Sequence, residues 1–283
     1  MTNTLRYVLM DPTKNQTILV ETPVPVLEQP AVAARLMQEE PSAEQAGFLS
    51  VPADVSSSSP VISLRMAGGE FCGNAAMSAA VYYAKHAGMT KGRVAVQVSG
   101  TPDPVTVTVS ARPEDGLWEG IVDMPQPLSM ERKTLSLKQA AFPEERGLFP
   151  ETCAFPVVTF RGITHILLDG DPPVESERET AEILAKTWCT DLQADALGLL
   201  FLNEKKSSLT PLVYVKTADT LFWENSCASG TTAAGAWLAR ETGQPVNRIF
   251  RQPGGTLEIS AEPDGPLLLK GTVRCQYRKT VVL

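Results

Sequence analysis

The chain has 283 residues, 43% of them hydrophobic, 20% charged and 6% aromatic, an ordinary globular composition with length enough for two domains. A core of that size needs no staples, which sets aside a disordered tail, a collagen-like fibre and a disulfide-dense miniature fold. The formal net charge is −7 with no basic run, so the counterion release that holds proteins on nucleic acid has no footing, and no nucleic-acid partner is expected.

In chain order, the amino-terminal stretch MTNTLRYVLMDPTKNQTILVE has no basic start, long apolar run or small-residue cleavage site. No secretory signal is expected. No window approaches eighteen uninterrupted apolar residues, so no membrane span is expected either. RYVLM and TILVE read as a strand pair across a turn at Asp11-Pro12-Thr13-Lys14. Residues 30–41 read as a helix, followed by GFLSVP, a polar tip at Ser56 to Ser59 and the strand VISLRM. Gly68-Gly69-Glu70-Phe71-Cys72-Gly73-Asn74 then opens into AAMSAAVYYAKHAG. Alanine-rich, free of proline and ending on Gly88 at a C′ position, this segment predicts a helix. VAVQVS and VTVTVS alternate with period two and predict strands.

Toward the other end, Glu224-Asn225-Ser226-Cys227-Ala228-Ser229-Gly230 opens into TTAAGAWLARETG. Laying Cys227 on Cys72 without gaps pairs Ala79 with Ala234, Ala84 with Ala239, Gly88 with Gly243 and Arg93 with Arg248. It also pairs Gln97 with Gln252, Gly100 with Gly255 and Thr101 with Thr256. These eight identities over about thirty positions compare with about two expected by chance at average residue frequencies. Shared alanine content does not explain the Cys, Gly, Arg and Gln coincidences, so one long unit is present twice.

Each copy sets a cysteine just before a helix. There the first backbone N–H groups are unpaired and the helix dipole is positive, which is expected to lower a thiol's pKa and to hold a carboxylate. Gly73 and Ala228 allow close backbone approach, and Asn74 and Ser229 are helix-capping types. Two such half-sites facing each other give a thiol on each side of a small acid. Inversion at Cα needs that arrangement, one base to remove the proton and a conjugate acid to return one on the opposite face. Cys153, Cys189 and Cys275 lack such a setting and are assigned to packing. Five scattered cysteines without a signal argue for reduced thiols in the cytoplasm. Without a CxxC pair, and with only His86 and His165, no metal site is expected.

The segments FCGNAAMSAA and SCASGTTAAGA resemble the two signatures of the diaminopimelate epimerase superfamily of cofactor-independent racemases and epimerases. KNQTILVE, with Asn15, resembles that family's amino-terminal strand, whose asparagine contacts substrate. Gln252-Pro253-Gly254-Gly255-Thr256-Leu257 is similar to its PGG turn. The resemblance covers almost the whole chain in order. It implies that Cys72 and Cys227 form the acid/base pair, that Gly73, Asn74, Ser229, Gly230 and Thr231 bind the carboxylate and amino groups, and that neither cofactor nor metal takes part.

Diaminopimelate epimerase itself carries Asn-Ala-Asp-Gly-Ser where this chain has Arg65-Met66-Ala67-Gly68-Gly69, and Gly-Asn-Pro-His where it has Gly162-Ile163-Thr164-His165. Its Glu-Arg-Gly before the second cysteine has no counterpart in TADTLFWENSC. A second zwitterionic end is therefore not expected in the substrate. GGEFCGNAAMS, FWENSCASGT, RQPGGTLEIS and LKGTV are similar instead to the histidine racemases of staphylopine-type metallophore synthesis. Ala43-Glu44-Gln45-Ala46-Gly47-Phe48 resembles a glutamate-containing stretch of those enzymes. Glu44 reads either as a partner for an imidazole N–H or as an exposed charge beside a helix end. Glu224 reads either as a second such partner or as an acid favoured by the helix dipole. His165, inside FRGITHILLDG, fits a core or pocket position, or a Cys–His pair. His86 is expected to face solvent, and Trp223 either walls the pocket or packs.

Periodicity alone gives an α+β fold. The resemblance implies two pseudo-symmetric diaminopimelate-epimerase-like domains, each a curved, mostly antiparallel, barrel-like sheet around its central helix. Residues 1–126 plus the returning strand 268–283 form the expected N-terminal domain with Cys72. Residues 127–267 form the C-terminal domain with Cys227, and the site lies in the cleft between them. The expected activity is racemisation of a free amino acid, histidine first, with a homodimer left open. Diaminopimelate epimerase or another amino-acid racemase, a Cys–His acyl-transfer enzyme and a non-catalytic amino-acid-binding protein stay open as alternatives.

Overall fold

The computed structural model describes residues 4–50, 61–137 and 152–282, so the polar tip expected at Ser56 to Ser59 lies outside the described residues. The first half runs β1 (Thr4–Pro12), β2 (Thr17–Val20), α1 (Gln29–Glu39), β3 (Gln45–Ser50), β4 (Val61–Met66), α2 (Gly73–His86), β5 (Lys91–Val98), β6 (Val105–Arg112) and β7 (Leu117–Asp123). After β8 (Ser129–Ser136), the second half repeats that order. It runs β9 (Thr152–Phe160), β10 (Ile163–Asp169), α3 (Arg178–Asp191), β11 (Ala196–Asn203), β12 (Ser208–Val215), the short β13 (Thr220–Trp223), α4 (Ala228–Thr242), β14 (Val246–Gln252), β15 (Gly255–Ala261) and β16 (Leu267–Val282).

The pairing repeats as well. β2 lies parallel to β3 as β10 does to β11, and β4 is parallel to β5 as β12 is to β14. The remaining neighbours are antiparallel, so each sheet is mostly antiparallel. β16 pairs with β15 and β7 through its first residues and with β1 from Val273 onward, closing the first-half sheet into a ring. The β1–β2 turn is tighter at its start than the sequence suggests. Asp11 and Pro12 end the strand, Thr13 and Lys14 take left-handed φ values of 51° and 65°, and the Asp11 carboxylate accepts the Lys14 N–H at 2.7 Å.

α2 and α4 sit in the concavities of their sheets. Ala75, Ala76, Ala79, Ala80 and Ala84 of α2 and Ala233, Ala234 and Ala239 of α4 are completely buried. Residues this small let strands approach on several sides of one helix. A Cβ at Gly120 on β7 would lie 3.1 Å from Met77 of α2, and one at Gly235 of α4 would lie 2.5 Å from Ile259 of β15. Left-handed glycines follow both helices, Gly88 at φ 67° and Gly243 at φ 64°.

The gapless match of the two copies holds from the cysteines through β5 and β14 and then fails. Residues 99–104 join β5 to β6, whereas Pro253-Gly254 alone join β14 to β15. Gly100 is therefore a turn residue while Gly255 begins a strand, and the Gly100/Gly255 and Thr101/Thr256 identities are not structural equivalents. One core surrounds both central helices, and separate cores lie beneath α3, around Trp188, and beneath α1, around Leu36. No helix among the described residues is long and apolar enough to cross a membrane.

Candidate active site

Cys72 is itself the N-cap of α2 and Cys227 the N-cap of α4, with backbone angles of −133°, 112° and −127°, 110°. The expected caps Asn74 and Ser229 stand inside the first turns instead. Each thiol accepts the N–H of the residue three positions on, Cys72 from Ala75 and Cys227 from Gly230, both at 3.4 Å. Sulfur thus takes the place usually held by a serine or aspartate oxygen. The two helix starts meet: a Cβ on Gly73 would lie 2.9 Å from that of Ala228.

Cys72 and Cys227 line one cavity between the halves. Asn15, Gln45, Asn74 and Ser229 contribute neutral polar groups, and Glu44, Glu70 and Glu224 contribute carboxyls. Pro30, Ala33, Ala34 and Met37 of α1 wall one side; Val213, Val215 and Phe222 come from the β12–β13 hairpin. No lysine or arginine is among the described residues lining it.

A hydrogen-bonded chain crosses this cavity. The Asn74 amide donates to Asn15 Oδ1 at 3.0 Å and to the Ser226 carbonyl at 3.1 Å, joining the halves. Gln45 Nε2 donates to Asn15 Oδ1 at 2.6 Å, and the Cys72 thiol donates to Gln45 Oε1 at 3.0 Å. Glu44 accepts from the Asn15 amide and from the backbone and side-chain N–H groups of Asn225, so it is not a free surface charge. Gln252 accepts the Cys227 N–H at 2.8 Å and donates to Thr231 Oγ1 at 2.7 Å, seating the start of α4.

Burial raises both thiols, Cys72 to about 12 and Cys227 well above the ordinary range, and the Glu224 charge adds to this in each case. The lowered thiol pKa expected from a helix mouth is thus reversed. One weak N–H···S bond and a dipole do not offset desolvation beside carboxylates. The same burial, reinforced by Glu44, lifts the Glu224 carboxyl to about 8. It also raises Glu44 and Glu70.

The structure brings Cys72, Cys227, Asn15, Glu44, Asn74, Glu224 and Ser229 to the cavity. Four expected site residues do not line it. His165 is fully buried behind Ser229, its Nε2 2.9 Å from Ser229 Oγ, and desolvation drives its pKa down to about 3. A Cys–His pair is therefore absent. Gly73 is spent on the contact with α4, Gly230 on capping Cys227, and Thr231 on the Cys227 carbonyl at 2.7 Å. His86 is exposed, as expected. Trp223 stacks on Phe201 at 5.6 Å while its neighbour Phe222 faces the cavity.

Gln45, Glu70, Asn225 and Gln252 were not read as site residues. Glu70, within GGEFCGN, and Asn225, within FWENSC, sit in the very motifs that carry the resemblance. The match of Gln252 with Gln97 marked a position without showing its bond to the second cysteine.

A duplicated sheet-and-helix unit that brings two capped thiols onto one void is the frame of amino-acid racemases and epimerases, a class of isomerase. The fold agrees over the full chain. It matches a hydroxyproline epimerase from Agrobacterium vitis solved with trans-4-hydroxy-L-proline, with a TM-score of 0.72 and 9% identity over 100% of this chain and 94% of that one. It matches a predicted epimerase of Pseudomonas aeruginosa with a TM-score of 0.65 and 13% identity over 98% and 99%. Identities so low establish the fold alone.

Sequence similarity narrows the class. A histidine racemase of Fusobacterium nucleatum is 29% identical over 267 residues, 92% of this chain and 90% of that one. One of Staphylococcus aureus is 25% identical over 255 residues, 89% and 86%. The family described as the histidine racemase CntK N-terminal domain matches residues 4–273, and the chain belongs to that family.

Proposed function

We propose that the protein interconverts L- and D-histidine by proton transfer between Cα and two cysteines. The observation that carries this reading is the pair of equivalent N-cap thiols, Cys72 and Cys227, lining one cavity at touching helix starts. The substrate carboxylate would sit against the first turns of α2 and α4, where unpaired N–H groups favour negative charge. Asn15, Asn74 and Ser229 would orient the amino-acid head, while the three carboxyls suit a cationic molecule.

One thiolate takes the α-proton, leaving a thiol and a Cα carbanion. The opposite thiol gives its proton to the other face of Cα and becomes the thiolate, so charge and protons balance and the return reaction starts from the mirror state. Burial raises both thiols, so a thiolate at the site depends on a compensating positive charge beside it. Glu224 lines the same cavity and its charge bears on the Cys227 thiol, which makes that carboxylate an acceptor for its proton. An arriving ammonium then favours the thiolate electrostatically.

The family membership and the similarity to histidine racemases support histidine as substrate. The free state of all five cysteines supports a cytoplasmic setting. The likeness of the cysteine motifs to staphylopine-type enzymes supports a role supplying D-histidine for a metallophore. The test is incubation of L-histidine in deuterated water. Formation of D-histidine with deuterium at Cα is expected; retained configuration with no exchange rejects the reading.

A further inference from the structure

The two thiols are held by different kinds of partner. Each accepts one backbone N–H, but their side-chain neighbours differ. Cys227 has a hydroxyl beside it, Ser229 Oγ at 3.6 Å, which is able to donate to sulfur or to accept from it. Cys72 has a carbonyl oxygen, Gln45 Oε1 at 3.0 Å, which is able only to accept.

That the oxygen of Gln45, and not its nitrogen, faces Cys72 follows from two backbone carbonyls. Asn74 Nδ2 gives one hydrogen to the Ser226 carbonyl and the other to Asn15 Oδ1. Thr17 gives its hydroxyl hydrogen to the Asn15 carbonyl at 3.0 Å. Asn15 Oδ1 and Thr17 Oγ1 are therefore both acceptors toward Gln45, whose Nε2 donates to them at 2.6 and 2.8 Å. Turning the amide over would set its oxygen against two buried acceptors and lose both bonds. A glutamine favours a neighbouring thiolate only through its N–H groups, and both of these are taken. The oxygen left for Cys72 stabilises S–H and opposes S⁻. The Glu224 charge bears on both thiols and so does not set them apart in kind.

We propose that Gln45 is a positioning residue that reserves Cys72 as the proton donor, so that the first proton the site loses comes from Cys227 and the resting enzyme carries its base on the α4 side. The inference rests on the two-thiol racemase reading and adds to it which cysteine begins as base. One turnover leaves the thiolate at Cys72, the arrangement that Gln45 opposes, so the enzyme has to reset before it repeats the same direction. Mirror-image substrates have equal free energies, so kcat/KM is the same in both directions and does not report the bias.

The test alkylates the substrate-free protein with iodoacetamide at a pH above the Glu224 titration and follows each cysteine by peptide mass mapping, because the thiolate is the reacting form. Cys227 is expected to be labelled at least about tenfold faster than Cys72, although it is the more buried of the two. Gln45→Leu removes the acceptor and is expected to bring the two initial rates within about threefold of each other. Faster labelling of Cys72 in the wild type, no labelling of Cys227, or an unchanged ratio in Gln45→Leu overturns the assignment. Should Gln45→Leu fail to fold, the first turnover of the wild type in deuterated water decides. One enantiomer of histidine is expected to exchange at once and its mirror image after a lag, because only one presents its α-hydrogen to Cys227. Equal first turnovers overturn the assignment. Exchange with neither enantiomer rejects the racemase reading and the inference with it, whereas the labelling pattern is read without substrate, which separates the two failures.

Discussion

The two halves share an element order and a cap geometry, and they differ at the seam and at the cavity wall. In the first half, one uninterrupted strand, β16, pairs with both β7 and β1 and closes the ring. The corresponding passage in the second half runs from β7 to β8 and is broken between Met124 and Leu128, where Pro125 and Pro127 have no N–H to give a ladder. The helices outside the sheets differ as well. α3 buries Trp188 against its own sheet, whereas α1 presents Pro30, Ala33, Ala34 and Met37 to the shared cavity. Symmetry thus supplies the two thiols, which chemistry at opposite faces of one carbon requires. Departure from symmetry supplies the side-chain pocket, which has to fit a single unsymmetrical molecule.

The sharpest way to break the comparison is to remove one thiol at a time. Cys72→Ala and Cys227→Ala are each expected to lower racemisation by about 10³-fold or more, within the range for loss of a general acid or base, as read by circular dichroism of the amino acid. Near-wild activity in either would sink the equivalence of the halves. Next comes the contact between them. Gly73→Ala forces a methyl against Ala228 and Met124 Sδ, and about 1–3 kcal/mol of stability with roughly a 100-fold loss of kcat should follow. Thermal melts and single-turnover kinetics check it.

The proton inventory differs between halves too. Glu224 titrates near 8 in the free protein, so kcat/KM is expected to rise as pH increases and to level above about 8, with Glu224→Gln flattening that rise. His165 gives a smaller and opposite-sided test in stability. Its folded pKa of about 3 lies below the unfolded value of about 6.5, so the unfolded chain binds more protons between those limits. Stability should fall as pH drops through that window, by up to about 1.4 kcal/mol per pH unit, and His165→Asn should remove this dependence in denaturant titrations. The smallest effect is expected at the surface. Breaking the exposed Arg132–Glu241 pair by Arg132→Ala should change stability by less than about 1 kcal/mol.

Much of this was legible in the chain. The alanine runs marked α2 and α4 because such stretches have high local propensity and few alternatives, and Gly88 and Gly243 marked their ends through a backbone conformation that glycine adopts freely. The duplicated cysteines were legible because the spacing from cysteine to glycine is a local property of one helix. Where the sequence reading went astray, the cause was distance along the chain. His165 was placed at the site on its motif position, but it lies one layer behind Ser229. The thiols were expected to be acidified by their helices, but burial and Glu224, an acid whose neighbours come from both halves, push them the other way. Gln45 passed unnoticed because nothing local shows that both hydrogens of its amide are taken.

Short-range interactions settle within a turn or a hairpin, so the residue string by itself determined the repeated unit, its two helices and the glycines that end them. Which carboxyls are saturated, which histidine is dry and which helix walls the cavity depend on groups more than a hundred residues apart, such as Glu44 and Asn225. Desolvation and hydrogen-bond completion are properties of the assembled surroundings, and only the tertiary structure decided them.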